Sequence, residues 1–251
     1  MEIRPGVHAV PGIRWSRVYL IEGETLALID AGLPWNVGTI LRYIRSIGRN
    51  PEDLRTVLMT HSHPDHSSGA LGISRRTGAD IVAHEGDTRT HADRGLSLSY
   101  MRVFSSLNAP IPFLQRVPVA RLVKDGDTLP VLGGVRVIHT PGHTPGSVCY
   151  QLEDRSLLFS GDTAFSNGRR FSRSLPFFGS RTDDYRCSLD RLAGLEFETM
   201  CGGHGEPLVG GASDQLRELL TAKPDPPTWP RFLASIPSRV VRIRGFSRDN
   251  F

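Results

Sequence analysis

Lysine is nearly absent from this chain of 251 residues, and cysteine is scarce. Lysine occurs only at positions 124 and 223, so arginine supplies nearly all of the basic charge, and the net charge is a mild +4. The sequence has no contiguous basic run, no helix-turn-helix pattern and no aromatic platform for single strands. We therefore expect no nucleic-acid partner and attribute the excess of arginine to coding preference.

Cys149, Cys187 and Cys201 are odd in number and lack Cys-x-x-Cys spacing, which argues against a disulfide framework or a zinc knuckle. We expect reduced thiols, mostly buried, although Cys201 lies close enough to His204 to leave a ligand role open. No apolar run approaches the roughly 20 residues that span a membrane. The N-terminus also lacks the basic start and apolar core of a signal peptide. A cytoplasmic protein with no membrane partner is expected.

Residues 61–66, His-Ser-His-Pro-Asp-His, concentrate four metal-capable side chains directly after an apolar run. In an extended segment, side chains two positions apart point to the same side, so His61 and His63 are able to hold one ion. The proline that follows ends this geometry and turns the chain, which lets Asp65 and His66 face a second position nearby. Nitrogen and carboxylate ligands in this mixture favour zinc or a similar borderline metal.

Three later segments share one arrangement, in which an apolar strand ends and a metal-capable residue follows in a glycine-rich turn. These residues are His143, Asp162 and His204, and an earlier strand ends in the same way at Asp30. Glycine lets backbone segments approach closely, which suits loops wrapped around a site. The remaining histidines match none of these motifs and are expected at the surface or in the core: His8, His84, His91 and His139.

Together these motifs resemble the metallo-β-lactamase-fold hydrolase superfamily, most nearly its glyoxalase II-like members. The resemblance covers roughly residues 7–220 and rests on His-x-His-x-Asp-His at 61–66, Gly-His-Thr at 142–144, Ser-Gly-Asp-Thr at 160–163 and Gly-His-Gly at 203–205. It implies a first metal bound by His61, His63 and His143. A second metal would be bound by Asp65, His66 and His204, with Asp162 bridging the two. Asp30 would lie behind the ligands, orienting one of them or holding a loop.

The implied site would hold two divalent ions, zinc by preference, with iron or manganese as alternatives. Such a pair lowers the pKa of a bridging water from about 15.7 toward roughly 7, so that hydroxide is available at neutral pH. We therefore expect an enzyme, a binuclear metal-dependent hydrolase that cleaves a thioester or ester carbonyl, with Asp65 and Asp162 as its catalytic carboxylates. Asp65 is able to take up a proton, and Asp162 holds the two ions at bridging distance. The alternatives that stay open are a lactonase of the acyl-homoserine-lactone type, an iron-dependent sulfur dioxygenase and a non-catalytic binding module.

After the bridging aspartate the sequence departs from glyoxalase II, whose Gly-Cys-Gly-Arg-like stretch is absent here. Phe165 stands near the place where the lactonase relatives carry a tyrosine, and it cannot donate a hydroxyl hydrogen bond. Three arginines are candidates for binding a small anionic substrate, since arginine binds carboxylate and phosphate in a bidentate fashion: Arg169, Arg170 and Arg173. The alternative is that they lie in a solvated loop without a binding role. The apolar segment 96–114 forms a lid over the cleft, a helical pair completing the core, or a homodimer contact.

Apolar periodicity predicts strands and helices in an order typical of two sheet-plus-helix halves. The resemblance implies the matching α+β fold, an αββα sandwich of two mixed β-sheets packed face to face with helices on the outer faces. We expect a catalytic domain over residues 1–222 and a Pro- and Arg-rich tail over 223–251 that packs on it. The predicted strands are 18–22, 25–30, 56–60, 80–84, 121–124, 135–140, 147–152, 156–160 and 197–201, and the predicted helices are 36–48, 67–77, 183–195 and 213–222, the last with Ser213 as its N-cap.

Overall fold

Two mixed β-sheets pack face to face, and helices cover the outer face of each. The structure is a computed structural model that describes residues 1–92, 117–173 and 182–221. The architecture is the predicted αββα sandwich. Segment 96–114 and the tail 223–251 lie outside the described residues, so the interpretations placed on them remain predictions.

The first sheet has seven strands and is antiparallel over its first four and parallel over the rest. In spatial order the strands are β1 (Glu2–Arg4), β2 (Val7–Ala9), β3 (Tyr19–Glu22), β4 (Leu26–Ile29), β5 (Leu54–Leu58), β6 (Asp80–His84) and β7 (Arg121–Val123). Strands β3 and β4 are buried along most of their length because both faces of this part of the sheet are covered.

The second sheet has six strands, antiparallel except for one parallel pair that joins Leu157–Gly161 to Thr199–Gly202. In spatial order they are β16 (Leu208–Val209), β14 (Thr199–Gly202), β11 (Leu157–Gly161), β10 (Val148–Leu152), β9 (Val135–His139) and β8 (Thr128–Leu129). A third, small sheet consists of β13 (Phe171–Arg173), β12 (Ala164–Asn167) and β15 (Gly205–Glu206).

The described helices are α1 (Val37–Ser46), α2 (Pro64–Ser67), α3 (Ala70–Thr77), α4 (Glu85–Ala92), α5 (Thr182–Ala193) and α6 (Ala212–Thr221). Helix α1 buries Val37, Ile40, Leu41 and Ile44, which recur at helical spacing, against the outer face of the first sheet together with α3. Helices α5 and α6 cover the second sheet in the same way. Among the described residues, no helix combines the length and apolar character needed to cross a lipid bilayer.

Three separate apolar layers follow from this arrangement. Tyr150 and Phe159 of the second sheet meet Tyr19 of the first in the layer between the sheets, and the rings of Tyr19 and Phe159 lie 5.3 Å apart. One further layer lies beneath α1 and α3, and another beneath α5 and α6. Cys201 belongs to the layer between the sheets, so this thiol is a core residue outside the group of candidate metal ligands.

The predicted helix over 67–77 is interrupted, and the predicted cap of the last helix is misplaced. Gly69 lies between α2 and α3, where its backbone N–H donates to the carbonyl of Gly32 instead of to a carbonyl in the preceding helical turn. Its backbone packs so closely on this segment that an added Cβ would be only 2.2 Å from the carbonyl oxygen of Ala31. Ser213 is the second residue of α6 instead of its N-cap, and its hydroxyl bonds to Glu196. The short strands β1, β2, β8, β12, β13, β15 and β16 were not predicted.

Candidate metal centre

The candidate ligands lie in loops that leave the same edge of the two sheets. Strand β5 leads into the 61–66 motif, β9 leads to His143, β11 to Asp162 and β14 to His204. His63 is the N-cap of α2 with extended backbone, and Pro64 occupies the first helical position, where its missing N–H is not needed. The short helix then turns Asp65 and His66 toward the same centre.

Four side chains form the first ligand group: His61, His63, His143 and Asp162. One potential ligand atom from each lies within 4.8 Å of the others. His143 Nε2 is 2.9 Å from His63 Nδ1 and 3.2 Å from the Oδ2 atom of Asp162. His61, His143 and Asp162 are all buried.

Asp65, His66 and His204 form the second group, again with ligand atoms within 4.8 Å of one another. Asp162 also reaches this group, with both of its oxygens. Its Oδ1 lies 3.3 Å from His66 Nε2, and its Oδ2, which faces His143, also lies 3.3 Å from His204 Nε2. This carboxylate therefore stands between both sets of imidazoles.

Two atoms of the cluster lack a hydrogen-bond partner although they are fully buried. They are His61 Nε2 and Asp162 Oδ1, two of the three such side-chain atoms found in the described part of the chain. A buried polar atom without a partner is costly, and coordination of these atoms to metal ions would remove that cost. The imidazole and carboxylate donor set also suits a borderline divalent metal. The residues therefore fit metal ions.

The pKa shifts of the cluster residues also suit metal binding. Burial and the neighbouring imidazoles lower the pKa of His61 and of His63, which keeps both rings neutral and able to donate a lone pair. Burial would lower the pKa of His66 as well, but the carboxylates of Asp162, Asp65 and Asp30 outweigh it and raise that pKa to about 10. Burial alone would raise the pKa of Asp162, yet the surrounding histidines hold it well below its ordinary value. Metal ions would replace protons in such a centre.

Asp30 lies beside His66 of the second group. Its Oδ2 accepts a hydrogen bond from Thr60 Oγ1 and lies 2.8 Å from His66 Nδ1, while its Oδ1 accepts from the backbone N–H of Thr60. Asp30 has a φ of +60°, a left-handed conformation that Asp adopts more readily than most residues. Its carboxylate orients His66 and holds the start of the 61–66 loop.

Gly203 allows the last ligand loop to reach the centre. A Cβ at this position would lie 2.2 Å from Asp162 Oδ1 and 2.7 Å from a ring carbon of His66. The backbone N–H of Gly203 also donates to the carbonyl of Gly161. The glycine-rich turns recognised in the sequence are thus required by close packing of one ligand loop on another.

The predicted substrate residues lie in and beside the β12–β13 hairpin. The ring of Phe165 is half-buried and stands perpendicular to that of His204 at a centroid distance of 5.2 Å. Arg169 and Arg170 are exposed in the hairpin turn, where both backbone N–H groups donate to Asn167 Oδ1. The side chain of Arg173 lies outside the described residues. Only Phe165 has a described contact with a candidate ligand.

The other histidines that the structure describes belong to neither ligand group. His8 contacts Glu22 and Tyr43. The rings of His84 and His139 stack on each other at 4.0 Å. The side chain of His91 falls outside the described residues.

Several residues that support the ligand loops carried no recognisable motif. Ser16 donates its hydroxyl to the backbone carbonyl of Asp65, and the backbone N–H of Arg17 donates to the carbonyl of Gly203. Asp87 contacts two ligand loops at once. Sequence spacing gave no indication of the roles of Ser16 and Arg17, but a carboxylate placed soon after the end of β6 was a usable signal for Asp87.

Comparison with known proteins agrees with this geometry. Residues 16–204 match the family profile described as the metallo-beta-lactamase superfamily. The crystal structure of a metallo-beta-lactamase family protein from Thermus thermophilus superposes with a TM-score of 0.70 at 26% identity, covering 87% of this chain and 79% of that chain. The chain belongs to the metallo-beta-lactamase superfamily.

Curated relatives extend the similarity to hydrolases. An uncharacterized protein of Mycobacterium tuberculosis is 31% identical over 79% of this chain and 88% of its own length. A hydroxyacylglutathione hydrolase of Rhodospirillum rubrum is 29% identical, covering 78% of this chain and 65% of its own length. An acyl-coenzyme A thioesterase of Bos taurus is 29% identical, covering 72% and 68%. The expected likeness to glyoxalase II is confirmed.

Proposed function

We propose that this chain is a binuclear metal-dependent hydrolase that cleaves a thioester or ester carbonyl. The observation that carries the proposal is the position of Asp162, whose carboxylate oxygens lie beside imidazoles of both ligand groups. A structural zinc site closes with four ligands, whereas the two groups here together offer seven. This surplus supports two neighbouring ions, with zinc the preferred occupant for a histidine and carboxylate set.

The ions would supply Lewis acidity and lower the pKa of a water to about 7. The protein residues hold that centre in place. Asp162 sets the spacing between the two groups, and Asp30 orients the ring of His66. Asp65 is less buried than Asp162 and lies 3.5 Å from His204 Nε2, which places a carboxylate at the accessible side of the centre for proton uptake. No side-chain nucleophile is required.

The relatives support a thioester as the substrate class, since one is named an acyl-coenzyme A thioesterase and another a hydroxyacylglutathione hydrolase. Phe165 offers an apolar ring edge beside His204, which suits the acyl part of such a substrate better than a group that needs a hydroxyl donor. An anionic group on the substrate would meet Arg169 and Arg170 in the adjacent hairpin turn. The alternatives are a lactone substrate and the sulfur dioxygenase reaction.

The cytoplasm is the proposed compartment. Cys149, Cys187 and Cys201 are all free thiols, as is usual in a reducing environment. Fractionation of cells that express the full chain tests this, and recovery from a secreted fraction would contradict it.

The decisive experiment measures metal content together with turnover of matched substrates. Purified protein equilibrated with zinc should carry two ions per chain and should hydrolyse an acyl-coenzyme A or glutathione thioester faster than an acyl-homoserine lactone. Asp162→Ala should lower kcat by at least about 100-fold and reduce bound zinc, because the ligand shared by both groups is lost. Asp127→Ala is the matched control, since that carboxylate accepts a backbone hydrogen bond in an exposed turn.

The outcomes separate the candidate reactions. A content of one iron per chain, together with oxidation of a sulfur substrate, would identify the protein as a sulfur dioxygenase and rule out the hydrolase proposal. Two zinc ions without turnover of any thioester, ester or lactone would refute the hydrolase proposal.

A further inference from the structure

The carboxylate of Asp87 is tied to both loops that supply the first ligand group. Its Oδ2 accepts a 2.6 Å hydrogen bond from the backbone N–H of Ser62, the residue between His61 and His63. The same oxygen accepts a 2.9 Å hydrogen bond from the hydroxyl of Thr144, the residue after His143. Two ligand loops from different sheets therefore share a single oxygen atom.

The second oxygen strengthens this connection. Asp87 Oδ1 accepts a 2.7 Å hydrogen bond from the backbone N–H of Gly146, so three donors converge on one carboxylate. The side chain is only 3% exposed, and charge-assisted bonds of this kind are shorter and stronger than neutral ones. Ser67 Oγ donates to the carbonyl of Ser62, so both backbone polar groups of the residue between the two histidines are hydrogen-bonded.

Close backbone packing fixes Asp87 relative to the Gly-His-Thr turn. A Cβ on Gly146 would lie 2.3 Å from the backbone nitrogen of Asp87, and a Cβ on Gly86 would lie 2.9 Å from the carbonyl oxygen of Pro145. The first turn of α4 and this turn therefore touch backbone to backbone, leaving Asp87 little room to adjust.

We propose that Asp87 is a positioning residue that sets the distance between His63 and His143 and so assembles the first ligand group. Asp30 has the corresponding position behind the second group, where it bonds directly to His66. Asp87 thus lies behind the first group and Asp30 behind the second, and Asp30 also bonds to Thr60 at the start of the 61–66 loop. The inference rests on the proposed binuclear site.

Asparagine is the informative replacement at this position. Its amide has nearly the same shape as the carboxylate, but it offers one acceptor oxygen and turns a donor toward the remaining partners. It therefore cannot accept from Ser62, Thr144 and Gly146 together. Thr144→Val is a second variant, which removes the hydroxyl and with it the bonds to Asp87 and to Ser147 Oγ, and Thr144→Ser restores that hydroxyl.

The test is a cobalt titration of the full chain, followed by the visible absorption of bound Co²⁺ and by ion content in a competing chelator. Asp87→Asn should weaken binding of one Co²⁺ about 10- to 100-fold and change its spectrum, while the second ion binds as in the unchanged protein. Thr144→Val should show a smaller loss in the same direction, and Thr144→Ser should recover most of it. The matched control is Asp53→Asn, which should leave the binding of both ions unaffected. Asp53 lies at the end of β5 away from the cluster, where its carboxylate accepts hydrogen bonds from Arg49 and from the backbone of Asn50.

Two outcomes would overturn the inference. Asp87→Asn and Thr144→Val could both bind two ions with the affinity and spectrum of the unchanged protein, or Thr144→Val could weaken both ions equally. If the unchanged protein itself binds fewer than two ions, the binuclear proposal fails instead. Should Asp87→Asn fail to fold, as judged by circular dichroism, the Thr144 pair decides the question alone.

Discussion

At the scale of single residues, the candidate metal centre is bordered by buried carboxylates that do not belong to either ligand group. Asp30 forms three hydrogen bonds behind the ligand cluster and is almost completely buried. Its direct partner among the candidate ligands is His66, and partners of this kind fix the ring orientation of a metal-bound histidine. The second group therefore has its own support, independent of the residues around His143.

Asp30→Asn should weaken the ion held by Asp65, His66 and His204 by about 10- to 100-fold, because the amide cannot serve both Thr60 and His66 as acceptor. Asparagine also tolerates the φ of +60° at this position, so the substitution tests the hydrogen bonds and not the backbone. Zinc content under chelator competition measures the effect. Retention of both ions with unchanged affinity in a folded variant would show that Asp30 only holds its loop.

At the scale of elements, the sequence located regular segments well where apolar spacing was long enough to carry a signal. Strand β6 was predicted with the observed bounds Asp80–His84, and α1 was predicted over 36–48 and observed at Val37–Ser46. Helix α1 was recognisable because its buried residues recur with helical periodicity and Gly48 follows it with a φ of +81°.

The elements that were missed are short or depend on partners distant in sequence. Strands β12 and β15 pair with each other although they lie some 40 positions apart, and neither has enough residues to show alternation. The break at Gly69 reflects a contact with Ala31 that no local pattern contains. The candidate ligands could be found from the sequence because histidine and aspartate are recognisable as metal-binding residue types. Ser16 could not, because its partner is a backbone carbonyl of another loop. Asp87 had only its position soon after the end of β6 as a signal, because its partners lie in two loops distant in sequence.

Helix α5 packs directly on the turn that carries His143, which leads to a test of close packing. Gly142 has a φ of +134°, and a Cβ there would lie 2.4 Å from the Cα atom of Tyr185 in α5. Tyr185 and Ser188 of the same helix donate hydrogen bonds to the carbonyls of Thr163 and Pro141. The helix thus holds both the Gly-His-Thr turn and the loop that contains Asp162.

Gly142→Ala should therefore lower the free energy of unfolding by more than its backbone strain alone. Gly134→Ala is the matched control, since Gly134 has a similar φ of +126° and an added Cβ there would meet only a methyl carbon of Thr128, at 3.4 Å. The control should cost about 1–3 kcal/mol of backbone strain, and Gly142→Ala should cost a further ~1–3 kcal/mol because the helix must move. Urea denaturation measures both. Equal losses of unfolding free energy in the two variants would mean that α5 can move away from the added methyl group at no energetic cost.

At the scale of the whole molecule, the two sheets are joined next to the metal centre by reciprocal tyrosine bonds. Tyr19 of the first sheet donates its hydroxyl to the carbonyl of Gly202 in the second, at 2.7 Å. Tyr150 of the second sheet donates to the carbonyl of Met59 in the first, at 2.9 Å. Met59 and Gly202 each lie shortly before a ligand loop, so these bonds set the position of one half of the centre relative to the other.

Tyr19→Phe and Tyr150→Phe each remove one hydroxyl from a fully packed site and leave a buried carbonyl without that donor. Each should lower the free energy of unfolding by about 1–3 kcal/mol, measured by urea denaturation of the metal-free protein. Tyr43→Phe is the control, because that hydroxyl lies on α1 at the surface and bonds outside the interface between the sheets, and it should cost no more than about 1 kcal/mol.

If the two tyrosine bonds also align the two halves of the candidate metal centre, the double variant should bind zinc more weakly than either single variant. Full zinc affinity in a destabilised double variant would instead show that the ligand loops align the centre without the tyrosines. Losses of unfolding free energy no larger than that of Tyr43→Phe would show that the two tyrosine bonds do not stabilise the contact between the sheets.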